Sequence, residues 1–291
     1  MLDRRSIGAT VLAAALVVTF AQTITSPARA FDESKYPDLK GQWVRARVPG
    51  VVGQPAYDPM HNQGRPQQPP LKPEFMAQWE ASLKDQAEGG QGTDPTYTCV
   101  APGMPRVMNA YWPFEIVVTP KTTHILMDHI HDSRRIFTDG RIWPKEMVPS
   151  FGGTSIGQWI DTTGSGRYDL LEAETRGLAG PRTYDASGLP FHEDNETVIK
   201  ERIYLDKADK NILVDEITVL DHALTRPWSM TKRYVRKPDK QPVWFEGVCA
   251  ENNPHIEIAN QPYMLSADGK LMPAKKDQPP PDLRYFKQPA K

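Results

Sequence analysis

What this chain lacks excludes several functions before any motif is found. It has no excess of one charge: 35 Lys+Arg stand against 36 Asp+Glu, a formal net charge of −1. A protein held on nucleic acid by phosphate neutralisation needs a basic surplus, so no nucleic-acid partner is expected. It has only two cysteines, in no Cys-x-x-Cys pairing, so a zinc ribbon or dithiol redox motif is not supported. Gly-x-Ser-x-Gly, the P-loop, Gly-x-Gly-x-x-Gly after a strand, His-Glu-x-x-His and Cys-x-x-Cys-His are all missing. These absences remove the α/β-hydrolase serine, nucleotide-fold, zincin and c-type haem readings. Beyond the N-terminus there is no long apolar run, so no permanent membrane span is expected.

Proline and glycine, in contrast, are plentiful: 28 and 20 in 291 residues, too many for long helices to dominate. With 7 Trp, 10 Tyr and 9 Phe the chain is also too aromatic to be wholly disordered. Residues 1–30 read as a signal peptide: Arg4-Arg5, an apolar run over Ile7–Ala21, then Ala28-Arg29-Ala30 as a small-x-small cleavage site. The paired arginines fit a Tat-like or an ordinary Sec signal, and both lead to the periplasm or outside. An uncleaved anchor is the alternative. In that oxidising compartment Cys99 and Cys249 are expected to form a disulfide, with two buried free thiols as the alternative.

Residues 31–95 read as an extended Pro/Gln-rich approach, with a short helix over 73–87. Pro73 suits the first helical position, Glu74 the positive end of the dipole, and Phe75, Met76, Trp79 and Leu83 fall on one stripe. From 96 to 250 the texture is that of short strands separated by turn residues. The expected strands are Glu115–Thr119, Thr123–His131, Arg134–Thr138, Ser155–Ile160, Tyr168–Thr175, Glu196–Leu205, Ile212–Leu220, Trp228–Val235 and Val243–Val248. Nine strands with tight turns predict an all-β fold, an antiparallel meander closed into a barrel. A two-sheet β-sandwich is the alternative. Residues 251–291 read as a Pro-rich strap or tail.

Three constellations carry possible chemistry. In Met127-Asp128-His129-Ile130-His131-Asp132, His129 and His131 point the same way on a strand and could chelate a divalent metal together with a carboxylate. Hydrated histidines at a strand end are the plain alternative. Glu201 shares a strand face with Ile199 and Ile203, so it must be paired or protonated. It is an acid/base or ligand-binding candidate, or else half of an ion pair with Arg135 or Arg167. His192, in a loop before that strand, could stand at a barrel mouth. Arg135, Trp159, Tyr168, Glu172 and His192 are the candidate ligand-lining residues, while Lys200 and Arg202 are expected to face solvent.

Leu39-Lys40-Gly41-Gln42-Trp43 places a Gly-x-Trp at the start of the folded part, and this resembles the opening of lipocalin-like barrels. The resemblance implies that Trp43 closes the foot of the barrel under a basic side chain from a late strand, Lys232 or Arg233. The chain also resembles a group of uncharacterised exported bacterial proteins. The stretches that carry this are Cys99–Arg106, Arg134–Arg141, Ser155–Trp159, Glu201-Arg202-Ile203 and Arg226-Pro227-Trp228. No reaction is established for that group, so the likeness implies a fold and no catalytic residue.

Three functions are therefore expected in competition. One is a periplasmic barrel binding an apolar or aromatic small molecule. Another is an enzyme on the same barrel using His129, His131 and Glu201, with a possible divalent metal. The last is an envelope structural or interaction protein. The sequence leaves the oligomeric state open.

Overall fold

The computed structural model describes residues 31–46, 67–128, 133–239, 241–244, 249, 253–259 and 261–281. Nine strands form a closed barrel: β1 Gln42–Arg45, β2 Phe114–Val118, β3 Thr122–Met127, β4 Ser133–Phe137, β5 Thr154–Ile160, β6 Leu170–Arg176, β7 Val198–Leu205, β8 Ile212–Leu220 and β9 Trp228–Arg236. They neighbour one another in chain order, and β9 returns to pair with β1, Trp43 opposite Arg236. The sequence patterns explain this closure. Ile199, Glu201 and Ile203 on β7, Leu213, Asp215, Ile217 and Val219 on β8, and Trp228, Lys232 and Tyr234 on β9 alternate with more exposed neighbours, except at Val214, which is also buried. A sheet with one such buried face removes its edges by curling onto itself.

The barrel differs from the expected meander in two ways. First, β4 and β5 run parallel, Ile136 opposite Ser155. Residues 138–153 between them are not a tight turn but a crossover from one end of the barrel to the other, which a parallel pair requires. Second, Gln42–Arg45 supplies a barrel strand from within the stretch read as an extended approach, whereas Val243 and Trp244 form no strand; the rest of Val243–Val248 lies outside the described residues. One close approach fixes a residue type. At Gly157 on β5 a Cβ would stand 2.6 Å from the Glu172 carbonyl oxygen and 2.8 Å from Ile136 Cγ2.

Both ends are covered. At the end where β1 starts, residues 32–40 lie across the barrel as a strap. Tyr36 packs against Trp159 and Tyr168, with ring centroids 5.5 and 5.0 Å away, and the Tyr168 N–H donates to the Lys35 carbonyl. Trp43 is fully buried there and its Nε1–H donates to the Leu39 carbonyl at 3.0 Å. The cation over its ring is Arg236, 4.4 Å from the centroid, rather than Lys232 or Arg233. Register decides this: Arg236 is the residue opposite Trp43, whereas Lys232 lies on the same face four residues earlier in β9 and Arg233 on the other face. Arg236 also donates to the Asp38 and Lys40 carbonyls, so one guanidinium holds strap and strand together.

The far end is capped by helix α1, Pro73–Ala87, the stretch read as a helix, with the short 3₁₀ turns Pro95–Thr98 and Arg106–Asn109 and residues 177–197. Trp79 of α1 is buried and donates to Ser187 Oγ at 2.8 Å, whereas Leu83 at the end of the apolar stripe is exposed. Arg106, itself buried, grips Asp94 through two parallel bonds of 2.6 and 2.9 Å and Thr183 Oγ1 at 2.7 Å. This bidentate geometry ties the capping segments into one unit. Cys99 and Cys249 form a disulfide, with Cα atoms 5.7 Å apart. The C-terminal part adds a three-stranded sheet, β10 His255–Ile258, β11 Gln261–Leu265 and β12 Leu271–Pro273, beyond the strap or tail expected there. Its His255 stacks on Tyr97 at 5.1 Å. Among the described residues no helix is long and apolar enough to cross a membrane.

Candidate functional site

Most of the barrel interior is apolar: Phe114 meets Tyr234 edge to face at 4.8 Å, and Tyr184 meets Trp228 at 4.7 Å. Charged side chains interrupt this lining. Arg134 reaches inward from β4 and forms a bidentate pair with Glu201 of β7, one bond at 2.7 Å from Nη1 to Oε1 and a shorter one between Nη2 and Oε2. Its Nη2 also donates to Thr175 Oγ1 at 3.2 Å, and Ser155 shares a hydrogen bond with Thr175. Glu201 is thus a buried, fully engaged ion-pair partner. The partner is Arg134 rather than Arg135 or Arg167, because side chains alternate along a strand: Arg134 shares the inner face with Ile136, and Arg135 points outward.

Beside this pair lies a carboxyl group in a different situation. Asp215 of β8 is wholly buried, directly opposite Lys232 of β9 and, on its other side, Ile203 of β7. Among the described residues neither of its carboxyl oxygens has a hydrogen-bond partner. Burial is the main cause that pushes its pKa well above the usual carboxylate range. Glu201 pushes the same way, and Arg134 and Lys232 oppose without prevailing. The environment therefore favours the neutral acid, which offers one O–H donor and acceptor lone pairs. Lys232 reaches past it, its Nζ donating to Asn109 Oδ1 at 2.8 Å, and Asn109 Nδ2 donates to the Tyr184 carbonyl. The Tyr234 hydroxyl donates to the Met108 carbonyl at 2.5 Å, and its pKa is also driven well up, by burial first and then by Asp215 and Glu201. The Trp228 indole N–H, like Asp215, meets no acceptor among the described residues.

No protein-family profile matches this chain, and neither does any curated protein. The chemistry of the interior therefore has to be read from the residues themselves.

Among the described residues, the sequence-predicted ones do not converge on one place. His129 and His131 lie outside the described residues. Arg135 and Glu172 are on the outer surface, Glu172 within 3.5 Å of the Arg202 guanidinium. Lys200 and Arg202 face solvent, as expected. Trp159 is half-buried and donates to Thr123 Oγ1 at 3.0 Å, while Tyr168 belongs to the strap contact. His192 sits at the far rim, beside Asp194 and His222. The parity that places Glu201 on a core face also places Asp215: in Leu213-Val214-Asp215-Glu216-Ile217 a carboxylate alternates with aliphatic residues on that face.

The described residues also frame a cleft of about 500 Å³ between the strap and β2. Tyr36, Leu39, Ile116 and Val118 supply its apolar wall, and Glu33, Lys40 and Arg167 stand among its polar lining.

Proposed function

We propose that this protein is an exported, lipocalin-like barrel that binds a small, largely apolar or aromatic molecule, with Asp215 recognising the polar head of that molecule. One observation carries the reading: a wholly buried carboxyl group inside a closed barrel, with neither oxygen hydrogen-bonded among the described residues. A native protein leaves such a group unmatched at a cost of about 1–3 kcal/mol, and functional sites are where that cost is tolerated. Three further features support it. Tyr234, whose pKa burial and then Asp215 raise, lies near the carboxyl group. Trp43 under Arg236 fits the resemblance at Gly41-x-Trp43. The Cys99–Cys249 disulfide fits an oxidising compartment. The engagement of Glu201 by Arg134 speaks against Glu201 as a free acid or base.

The test uses N-phenyl-1-naphthylamine, a neutral aromatic amine whose N–H can meet a carboxyl oxygen, followed by its fluorescence on binding. Saturable one-to-one binding is expected, weakened about tenfold or more in Asp215→Leu; a lost hydrogen bond to a buried group is worth that much. Binding unchanged in Asp215→Leu but abolished in Val118→Trp would put the molecule in the strap cleft and overturn the assignment to Asp215.

A further inference from the structure

The rim of the barrel carries a second cluster, separate from the interior. His192 and Asp194 lie in the segment leading into β7, and His222 lies in the turn after β8. β7 and β8 pair antiparallel with Val198 opposite Leu220, so these two pieces of chain emerge side by side. The Asp194 carboxylate stands between the two imidazoles: Oδ2 is 3.1 Å from His192 Nδ1 and hydrogen-bonded to His222 Nδ1. One donor atom from each of the three residues can be chosen so that all lie within 4.8 Å of one another. The rings are 5.7 Å apart and nearly perpendicular, a T-shaped arrangement.

The surrounding structure holds the cluster in place. Asp221, buried immediately before His222, accepts from the His192 N–H at 2.9 Å, the Thr197 hydroxyl at 2.5 Å and the Ala223 N–H at 2.7 Å. One carboxylate thus fixes the backbone on both sides of the cluster. Arg182 secures the same region, donating to Thr197 Oγ1 at 2.6 Å and to the His192 carbonyl at 3.1 Å. The ring of Phe75 from α1 packs 5.6 Å from His192. Asp194 is itself oriented by the Glu196 N–H at 3.0 Å, and the Glu196 carboxylate is 3.8 Å from His222 Nδ1. Burial works against ionisation of Asp194, yet the Glu196 N–H and the two histidines outweigh it and hold its pKa below the ordinary value. It is therefore an anion at neutral pH.

From this juxtaposition we propose that His192, Asp194 and His222 form a binding site for a Zn²⁺-class divalent metal ion, which fastens the segment before β7 to the turn after β8. Two imidazoles and one carboxylate are a borderline donor set that suits Zn²⁺ and leaves a fourth position for Glu196 or water. Mg²⁺ and Ca²⁺ prefer all-oxygen shells. A tetrahedral ion needs its ligand atoms about 3.3 Å apart, given metal–ligand distances near 2.0–2.1 Å. His222 is exposed and His192 half-buried, so rotation of the His222 side chain is the main movement that closes the present separations. On binding, each neutral imidazole offers the lone pair of its unprotonated nitrogen; where that is His222 Nδ1, the ring proton moves to Nε2 and the hydrogen bond to Asp194 gives way to the metal–ligand bonds.

The test uses the full chain, stripped with a chelator and titrated with ZnCl₂ by calorimetry. One equivalent should bind at micromolar concentration and raise the melting temperature. His222→Ala, at an exposed position that leaves the fold intact, should weaken binding about tenfold or more, and Asp194→Asn should do the same. A His129→Ala/His131→Ala double variant should bind as the wild type does. Binding that survives His222→Ala and Asp194→Asn unchanged, or is lost in the double variant instead, would overturn the assignment. So would the absence of one-to-one binding below millimolar Zn²⁺.

Discussion

Replacing Asp215 with leucine should make this protein more stable, the reverse of the usual outcome for a buried position. Both carboxyl oxygens are enclosed without a partner among the described residues, and each such group carries a penalty of about 1–3 kcal/mol. Leucine removes both penalties but is larger, and overpacking returns about 1–3 kcal/mol. The expected net gain is about 2 kcal/mol, or roughly 4–8 °C in melting temperature for a chain of this size. Asp215→Asn keeps the shape and removes the titration, so it isolates the pH term. The folded pKa is raised above the unfolded value, so between the two the folded state binds more protons than the unfolded state. Wild-type stability should therefore fall as pH rises from about 4 through the folded pKa, by at most about 1.4 kcal/mol per pH unit from this group. In Asp215→Asn that component of the slope should vanish. Urea unfolding of the three proteins from pH 4 to pH 8 measures both effects. A loss of 2 kcal/mol or more in Asp215→Leu, with wild-type stability rising over that pH range, would falsify the reasoning. It would mean that Asp215 is ionised and paired with Lys232.

Other consequences can be checked separately. Gly157→Ala should destabilise by about 1–3 kcal/mol in chemical denaturation, because the added Cβ meets a backbone oxygen that belongs to the β6 ladder and cannot retreat. Arg236→Ala removes the cation over Trp43 and two donors to the strap; a loss of about 1–3 kcal/mol is expected, with altered Trp43 fluorescence before global unfolding. Asp139 has its pKa lowered to about 2, chiefly by its hydrogen bond with Arg141. Arg141→Ala should raise it toward the ordinary value in an NMR titration, and the small stabilisation from this pair in the wild type should disappear as pH falls through about 2. Replacing Cys99 and Cys249 together by serine should cost about 2–5 kcal/mol, measured as a lower denaturation midpoint with unchanged spectra at low denaturant.

The class of fold was legible because alternation along strands is a strong signal: Ile212–Leu220 is a strand with the bounds read from its sequence, and Pro73–Ala87 is a helix for the same kind of reason. Gln42–Arg45 was not legible as a barrel strand. Four residues are too few to show a period, and pairing with Phe114 and Tyr234 is a tertiary fact. The parallel β4–β5 pair was hidden for a similar reason, since Asp139-Gly140 reads as a tight turn while the chain in fact crosses the barrel. Within the interior, the burial of Glu201 followed from parity, and the same parity selects Arg134 over Arg135 and points to Asp215. The meeting of His192 and Asp194 with His222 depends on two strand ends emerging together, which spacing alone does not encode.

The covalent loop closed by Cys99 and Cys249 encircles β2 through β9 and leaves β1 outside it. β1 is thus the one stave of the barrel not enclosed by that hoop. It is joined by two residue pairs to β2 and three to β9, fewer than hold β7 to β8 or β8 to β9. β1, outside that loop and thinly paired on both sides, should therefore open more readily than β8, and amide exchange should be faster in Trp43–Arg45 than in β8.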